Sequence, residues 1–314
     1  MHAIGIDIGG TKIAGAVVAE DGTIVAMERI ATDASDPSGI VEAVIGMIED
    51  LAQGRDIRSA GVAAPGFVDV EQSTVYYTPN IGWRNEPLRD RLLARLDLDI
   101  TVDNDANAAG WAEFRFGAGQ DVDDMTMITV GTGVGGAIIS RGALFRGGFG
   151  AGGELGHLCV VPGGLLCGCG ARGCIEQYGS GRALLRMANE IADAGGIGSG
   201  LAAARGDGPL TGHVVAELIA AGDPGAVRGL QQLGRHLGQA CASLAAVLDP
   251  QVFVFGGGVS VARDLLIDPI RESFLEHLPA RGYHPEPQFV VAELVNDAGV
   301  VGAADLARLH SERR

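Results

Sequence analysis

The sequence predicts an α/β protein made of two related domains, and three observations carry that expectation. Short β-rich runs alternate with runs of helical period along all 314 residues. The stretches IGIDIGGTKIAGAVV, beginning at Ile4, and MITVGTGVGGAIIS, beginning at Met127, are two hairpins of one design, each turned by glycines. A window at 154–176, ELGHLCVVPGGLLCGCGARGCIE, is too short and too rich in glycine for a helix of its own, yet it gathers His157, Cys167, Cys169 and Cys174.

Composition narrows the class of function. The chain is long enough to bury two cores, and 47% hydrophobic with 20% charged residues is globular rather than disordered. A formal net charge of −16 with no long basic run opposes binding to nucleic acid or to an anionic membrane surface. No stretch approaches the ~20 uninterrupted apolar residues of a membrane span. The first residues form an apolar strand without the basic region of a signal peptide, so a cytoplasmic location is expected, and Arg313 and Arg314 are too short a basic tail to alter that.

Along the chain, residues 1–32 read as three β runs in an antiparallel meander, turned at Gly9 and Gly10 and again at Asp21 and Gly22. Gly5, Gly10, Thr11 and Lys12 imitate a phosphate-binding P-loop, but that motif needs Gly-Lys-Ser/Thr opening a helix, and here Lys12 opens another β run. What remains is Asp7, Gly9 and Thr11 at a hairpin tip: either a plain glycine hairpin, or amides and a hydroxyl for phosphate oxygens with Asp7 for Mg²⁺. Ile40, Val41, Val44, Ile45, Ile48 and Leu51 recur at helical spacing over 37–51. IRSAGVAAPGFVD is a buried strand ending at Pro65 and Gly66, the segment to Trp83 that contains Asn80 reads as irregular, and 87–96 is a short helix.

ITVDNDANAAGWAEFRFGAG is a strand running into a helix, with Asp103, Asn104, Asp105 and Asn107 at the junction. Asp103, Asp105 and Asn107 begin like a calcium loop, but Ala108 and Phe114 stand where that loop needs Gly and Glu. One of the four is expected to cap the helix; the carboxyl end of a strand is also where α/β proteins place ligands, so one carboxylate is a candidate base. Gly131, Gly133 and Gly136 match the spacing of a dinucleotide-binding fingerprint, which fails because the chain continues as β instead of opening a helix. Residues 175–248 are mostly helical, with interruptions near 195–200 and 206–209 and the longest helix over 226–248. QVFVFGGGV is a buried strand opening at Gly256, Gly257 and Gly258, where a flat ring or a phosphate can approach the backbone unless the glycines serve only a tight turn. The strand FVVAEL and a helix over 298–310 complete the chain.

His157, Cys167, Cys169 and Cys174 are the soft-to-borderline donors that tetrahedral Zn²⁺ prefers, and a closed set of four implies a structural metal. Free buried thiols or one disulfide are the alternatives, disfavoured by five cysteines and the lack of a signal peptide. Glu154 and Glu176 bracket the window. A metal clamp would hold both carboxylates and one face of His157 for a polar ligand; the other reading is a solvated acidic loop.

Taken with these motifs, the pattern Glu154, His157, Cys167, Cys169, Gly170, Gly173, Cys174, Glu176 resembles the ROK (repressor, open reading frame, kinase) family of sugar kinases, and within it the bacterial glucokinases. The similarity spans essentially the whole chain. It implies an α/β, two-domain actin-like (ribonuclease-H-like) ATPase fold with a zinc-bound loop in the larger domain. Residues 1–108, completed by a C-terminal helix at 299–314, would form the small domain with the first phosphate loop. Residues 109–298 would form the large domain with the second phosphate loop, the zinc loop and the adenosine loop. The resemblance further implies that Asp7, Gly9, Gly10, Thr11 and Lys12 form the first phosphate loop, Thr132 and Gly133 belong to the second, and Gly256, Gly257 and Gly258 pack beside adenosine. Asn104 and Asp105 match the sugar-binding pair, with Asp105 the catalytic base; Glu154, His157, Glu176, Gly66 and Asn80 match further sugar contacts. His157 would also bind structural zinc with the three cysteines. ATP with Mg²⁺ and glucose are the implied substrates, another hexose, a polyphosphate donor or a glucose-sensing regulator the alternatives, and a dimer or tetramer the implied assembly. No helix-turn-helix precedes the first strand, unlike the repressor members.

Overall fold

The computed structural model describes residues 1–78, 80–206 and 208–312. Pro79, Asp207 within the expected interruption at 206–209, and Arg313 and Arg314 at the end of the expected C-terminal helix lie outside the described residues. In chain order come β1 (His2–Ile8), β2 (Lys12–Val18), β3 (Ile24–Ala31), α1 (Pro37–Ala52), β4 (Ile57–Ala64), β5 (Phe67–Val68), β6 (Val75–Tyr77), β7 (Arg84–Glu86), α2 (Leu88–Leu93), β8 (Asp99–Asn104) and α3 (Asp105–Phe116). Then follow β9 (Met125–Val130), β10 (Val134–Ser140), β11 (Ala143–Leu144), α4 (Glu176–Gly179), α5 (Gly181–Ala194), α6 (Ser199–Arg205), α7 (Gly212–Ala220), α8 (Pro224–Leu248), β12 (Val252–Gly256), α9 (Asp264–His277), β13 (Gln288–Val291) and α10 (Ala298–Glu312).

One sheet has the order β3-β2-β1-β4-β8 and another the order β11-β10-β9-β12-β13. The chain visits positions in the same sequence in both, which is the structural counterpart of the doubled hairpin. In the first sheet β1 to β3 form the antiparallel meander, while β4 runs parallel to both β1 and β8. In the second, β12 is parallel to β9 and β13. Helix α1 starts where expected, with Asp36 accepting a hydrogen bond from the Gly39 amide at 2.9 Å and Pro37 leading the first turn. Its six spaced apolar residues are all buried.

Three expectations differ in detail. The segment read as irregular before Trp83 holds a small antiparallel sheet of β5, β6 and β7; strands of two or three residues show no alternation to detect. The helix at 87–96 is shorter, Leu88–Leu93. The last strand stops at Val291, because the amides of Glu293 and Leu294 donate to the Glu113 carboxylate at 3.0 and 2.7 Å.

Two compact units result, one of Met1–Asp123, Ala137–Gly153 and the segment from Glu293, the other of Asp124–Gly136 and Glu154–Ala292. Residue 108, the expected division, falls inside α3, which belongs wholly to the first unit. There α3 is tied to α10: Trp111 Nε1 and Arg115 Nε donate to Asp305 Oδ2 at 2.8 and 3.2 Å. α10 is seated on β1, β4 and α3 at three glycines. A Cβ on Gly5 would overlap the Val300 carbonyl oxygen, one on Gly61 that of Ala303, and one on Gly302 that of Ala108. Among the described residues no helix is long and apolar enough to cross a membrane.

The seat of α10 gives a direct test. Gly61→Ala is expected to destabilise by roughly 3 kcal/mol or more, lowering the melting temperature by about 6 °C or more, because backbone and not a movable side chain fills the space. Gly46→Ala, inside α1 with open space around it, is expected to stabilise by about 0.5–1 kcal/mol. Thermal denaturation of the two variants reads both signs.

Candidate functional site: two glycine turns, a strand end and a thiol cluster

In the first unit the parallel strands β1, β4 and β8 end side by side, with Asp7, Ala63 and Asp103 in one row. Just beyond, Asn104 caps α3 by accepting from the Asn107 amide at 3.0 Å. Its Nδ2 donates to Gly66 O at 3.0 Å and to Asp105 Oδ1 at 3.1 Å. Asp105 Oδ1 also accepts from the Ala106 amide at 2.9 Å. Both bonds fall on one oxygen, which fixes the carboxylate while directing Oδ2 elsewhere. Gly66 has φ +98°, and a Cβ there would overlap the Tyr77 carbonyl oxygen, so only glycine fits.

The first glycine turn is braced from β3: Gly9 N donates to Lys12 O at 2.9 Å, Thr32 Oγ1 to Gly9 O at 2.9 Å and Thr32 N to Thr11 O at 3.0 Å. Asn80 reaches the same turn, its Nδ2 lying 4.0 Å from where a Cβ on Gly10 would sit. Burial and the neighbouring Asp105 carboxylate push Asp7 up to about 6, against the pull of Lys12. Burial likewise raises Asp105, partly offset by its hydrogen bonds. Two crowded carboxylates with raised values, at the ends of parallel strands, suit a cation and a proton acceptor.

In the second unit the turn between β9 and β10 carries Thr132 and Gly133. Glu176, at the start of α4, closes on it: Val134 N donates to Glu176 Oε2 at 3.3 Å, and a Cβ on Gly133 would overlap the same oxygen. Arg182 donates to Thr132 O at 3.1 Å and lies 3.7 Å from Glu176 Oε1. Gly257 follows β12 at φ +85°, pressed on the Val130 backbone, whereas Gly258 faces open space. Glu154 and His157 bound the short 3-10 turn Leu155–His157, where Gly156 packs tightly on Val134 O.

The four metal-type side chains do meet. Ligand atoms of His157, Cys167, Cys169 and Cys174 all lie within 4.8 Å of one another. His157 Nδ1 is 3.8 Å from Cys167 Sγ, and the sulfurs of Cys169 and Cys174 are 3.6 Å apart. Tetrahedral Zn²⁺ with arms of about 2.3 Å spaces its sulfurs about 3.8 Å apart, so the donor set fits that ion. All five cysteines are free thiols, and the sulfurs of Cys169 and Cys174 stand well beyond the about 2.05 Å of a disulfide. Burial and the adjoining thiols push Cys174 up to about 12, so a bound cation is what would let that thiol ionise. Tyr178 braces the loop by accepting from the Leu165 amide at 2.8 Å.

The ROK family model matches residues 3–310. The chain belongs to the ROK family. It is 45% identical over 308 residues to the glucokinase of Streptomyces coelicolor, covering 97% of each chain. It is 35% identical over 317 residues to the N-acetylmannosamine kinase of Escherichia fergusonii, covering 98% of this chain and 99% of that one. The crystal structure of a ROK family glucokinase from Streptomyces griseus in complex with glucose and AMPPNP matches with a TM-score of 0.87 and 46% identity, over 98% of this chain and 100% of that one. The fold of this ROK member is accordingly α/β with mixed sheets.

Each expected site residue of this ROK member has a place. Asp7, Gly9, Gly10, Thr11, Lys12, Gly66, Asn80, Asn104 and Asp105 belong to the first unit; Thr132, Gly133, Glu154, His157, Glu176, the glycines 256–258 and the cysteines belong to the second. Sequence reasoning passed over Arg182, which carries no local motif, and Gln72 and Arg146 beside Asp103.

Asp7 yields a stability prediction for the protein without nucleotide. A carboxyl whose folded value is raised is favoured protonated, so its contribution is full below pH ~4 and is lost as pH rises through ~6. Asp7→Asn is therefore expected to match wild type near pH 4 and to exceed it above pH 6 by up to about 3 kcal/mol. Melting temperatures across that range check the sign; a less stable variant at pH 7.5 would refute it.

Proposed function

We propose that the chain is a glucokinase, transferring the γ-phosphoryl group of ATP to the 6-hydroxyl of glucose to give glucose 6-phosphate and ADP. The observation that carries this reading is the end of β8, where Asn104 pins one oxygen of Asp105 in a crowded, half-buried carboxylate pair. The full-length similarity to bacterial glucokinases, one of them in complex with glucose and AMPPNP, supports the substrates. The matched order of the two sheets supports the actin-like reading of the fold. A homo-oligomer, implied by the family resemblance, and the cytoplasmic location expected from the sequence complete the proposal.

Phosphoryl transfer asks a protein for positioning and for neutralisation of charge, with a carboxylate to take the proton. Asp105 Oδ2 accepts the proton of the 6-hydroxyl as that oxygen bonds to the γ-phosphorus and the bond to the β-bridging oxygen breaks. Asn104, Gly66 and Asn80, together with Glu154, His157 and Glu176, serve the remaining hydroxyls, since amides, carboxylates and an imidazole match groups that both donate and accept. The amides of Gly9, Gly10 and Thr11, with Lys12, suit phosphate oxygens, as do Thr132 and Gly133 in the second unit, where the glycines 256–258 leave room for adenosine. Mg²⁺ held near Asp7 would neutralise the phosphates. Zinc on His157, Cys167, Cys169 and Cys174 would fix the loop, its four positions filled by protein.

Asp105→Asn is expected to cut kcat by about 10²- to 10⁴-fold while leaving glucose affinity within about threefold; matching losses of affinity would make Asp105 a positioning residue instead. Because Asp105 is raised and must be ionised to act, kcat/KM should fall on acidification at a pH above the ordinary aspartate value of about 4. A coupled assay with Mg-ATP or polyphosphate against glucose, mannose, fructose and N-acetylmannosamine ranks the substrates. Elemental analysis is expected to give one zinc per chain, lost in Cys169→Ala together with several degrees of melting temperature; a metal-free wild type would end the zinc proposal.

A further inference from the structure

Asp103 takes no part in the chemistry above, yet its buried carboxylate is the most heavily bonded side chain around the end of β8. Oδ2 accepts from Arg146 Nε at 2.8 Å, Arg146 Nη2 at 2.6 Å and Gln72 Nε2 at 3.1 Å. Oδ1 accepts from Asn107 Nδ2 at 3.0 Å and from the Asn104 amide at 2.9 Å. The Asp103 side chain is 6% exposed and that of Arg146 21%, so each charge depends on the other to stay out of water.

The pair joins two structures that a sugar site needs. On the Oδ1 side it holds the corner where β8 becomes α3, through the Asn104 amide and the Asn107 side chain. Asn104 in turn fixes Asp105. On the other side, Arg146 opens the glycine run 147–153. Gly152 N donates to Arg146 O at 2.8 Å and closes that run into a loop, while Gly150, at φ +89°, presses on the backbone of Val68 and Asp69. Glu154 follows the run directly in the chain.

We propose that Arg146 is a positioning residue for the sugar: through Asp103 it locks the loop that leads to Glu154 onto the strand end that presents Asn104 and Asp105. The inference rests on the reading of those residues as sugar contacts and base. A fork of two N–H groups on one oxygen sets direction as well as charge, which a lysine at this position cannot reproduce. Displacing a binding group by about 1 Å can cost up to ~10²-fold in rate, so the pair acts on function without touching substrate.

The test compares wild type with Arg146→Ala, Arg146→Lys, Asp103→Asn and the double variant Asp103→Asn/Arg146→Ala. Kinetics are measured on whichever hexose the wild type uses best, beside the sugar-induced rise in melting temperature. Expected is a sugar KM raised roughly tenfold or more in Arg146→Ala, a smaller rise in Arg146→Lys, an ATP KM within about twofold of wild type, and a double variant no worse than the poorer single one. If Arg146→Ala does not fold, Arg146→Lys carries the comparison. A lowered melting temperature with sugar KM and kcat within about twofold of wild type would make the pair merely structural and overturn the proposal, as would equal losses for sugar and ATP. A wild type inactive on every hexose would refute the kinase reading alone, because the sugar-induced shift in melting temperature still compares the variants.

Discussion

The first unit's share of the candidate site depends on one constraint: several carboxylates must be held at the ends of adjacent parallel strands without repelling one another out of place. Asp7 and Asp103 stand in a row across β4, with Asp105 one turn of chain beyond. The fold treats the three differently. Asp103 is paired with a guanidinium and surrounded by N–H groups, which fixes it in place. Asp105 has one oxygen tied and burial raising its affinity for a proton. Asp7 keeps only the influence of Lys12 against burial and a like charge, and its value of about 6 records that imbalance. Unequal environments of this kind are what the proposed roles of Asp7 toward a cation and of Asp105 toward a proton draw on.

Backbone contact sets where those strand ends can lie. Gly5 and Gly61 are in β1 and β4, the strands that carry Asp7 and lead to the turn at Gly66, and α10 rests on both with no side chain between. Gly299, at the start of the same helix, leaves space that the Asp7 carboxylate occupies. The helix therefore supports the site from behind, and Trp111, Arg115 and Arg308 gather around Asp305 to keep it there. A rigid support of this kind is what a site needs when its groups must be placed to a fraction of an ångström.

How much of this is legible in the sequence depends on the range of the interaction. The hairpins at Gly9 and Gly131 and the buried face of α1 are periodic and local, and the structure has them where the residues imply. The thiol cluster is legible because its chemistry is stated by residue type within one short window. The sheet of β5 to β7 is not, since Val75–Tyr77 and Arg84–Glu86 are too short to show alternation. Nor can a sequence show that Arg146 pairs with Asp103, 43 residues away, or that Glu113 ends a strand 180 residues later by taking its amides. Those partners are chosen by packing, and an isolated arginine before a glycine run looks like any loop residue.

Every role proposed for these residues rests on the movement of phosphate from ATP to the 6-hydroxyl of glucose. Phosphorus NMR of the reaction of wild-type protein, Mg-ATP and glucose tests it most directly, because proton coupling reports which carbon bears the new ester. Expected is new monoester signal, split by the two protons of C6, growing in step with ADP. A resonance split by one anomeric proton, or inorganic phosphate alone, would contradict it.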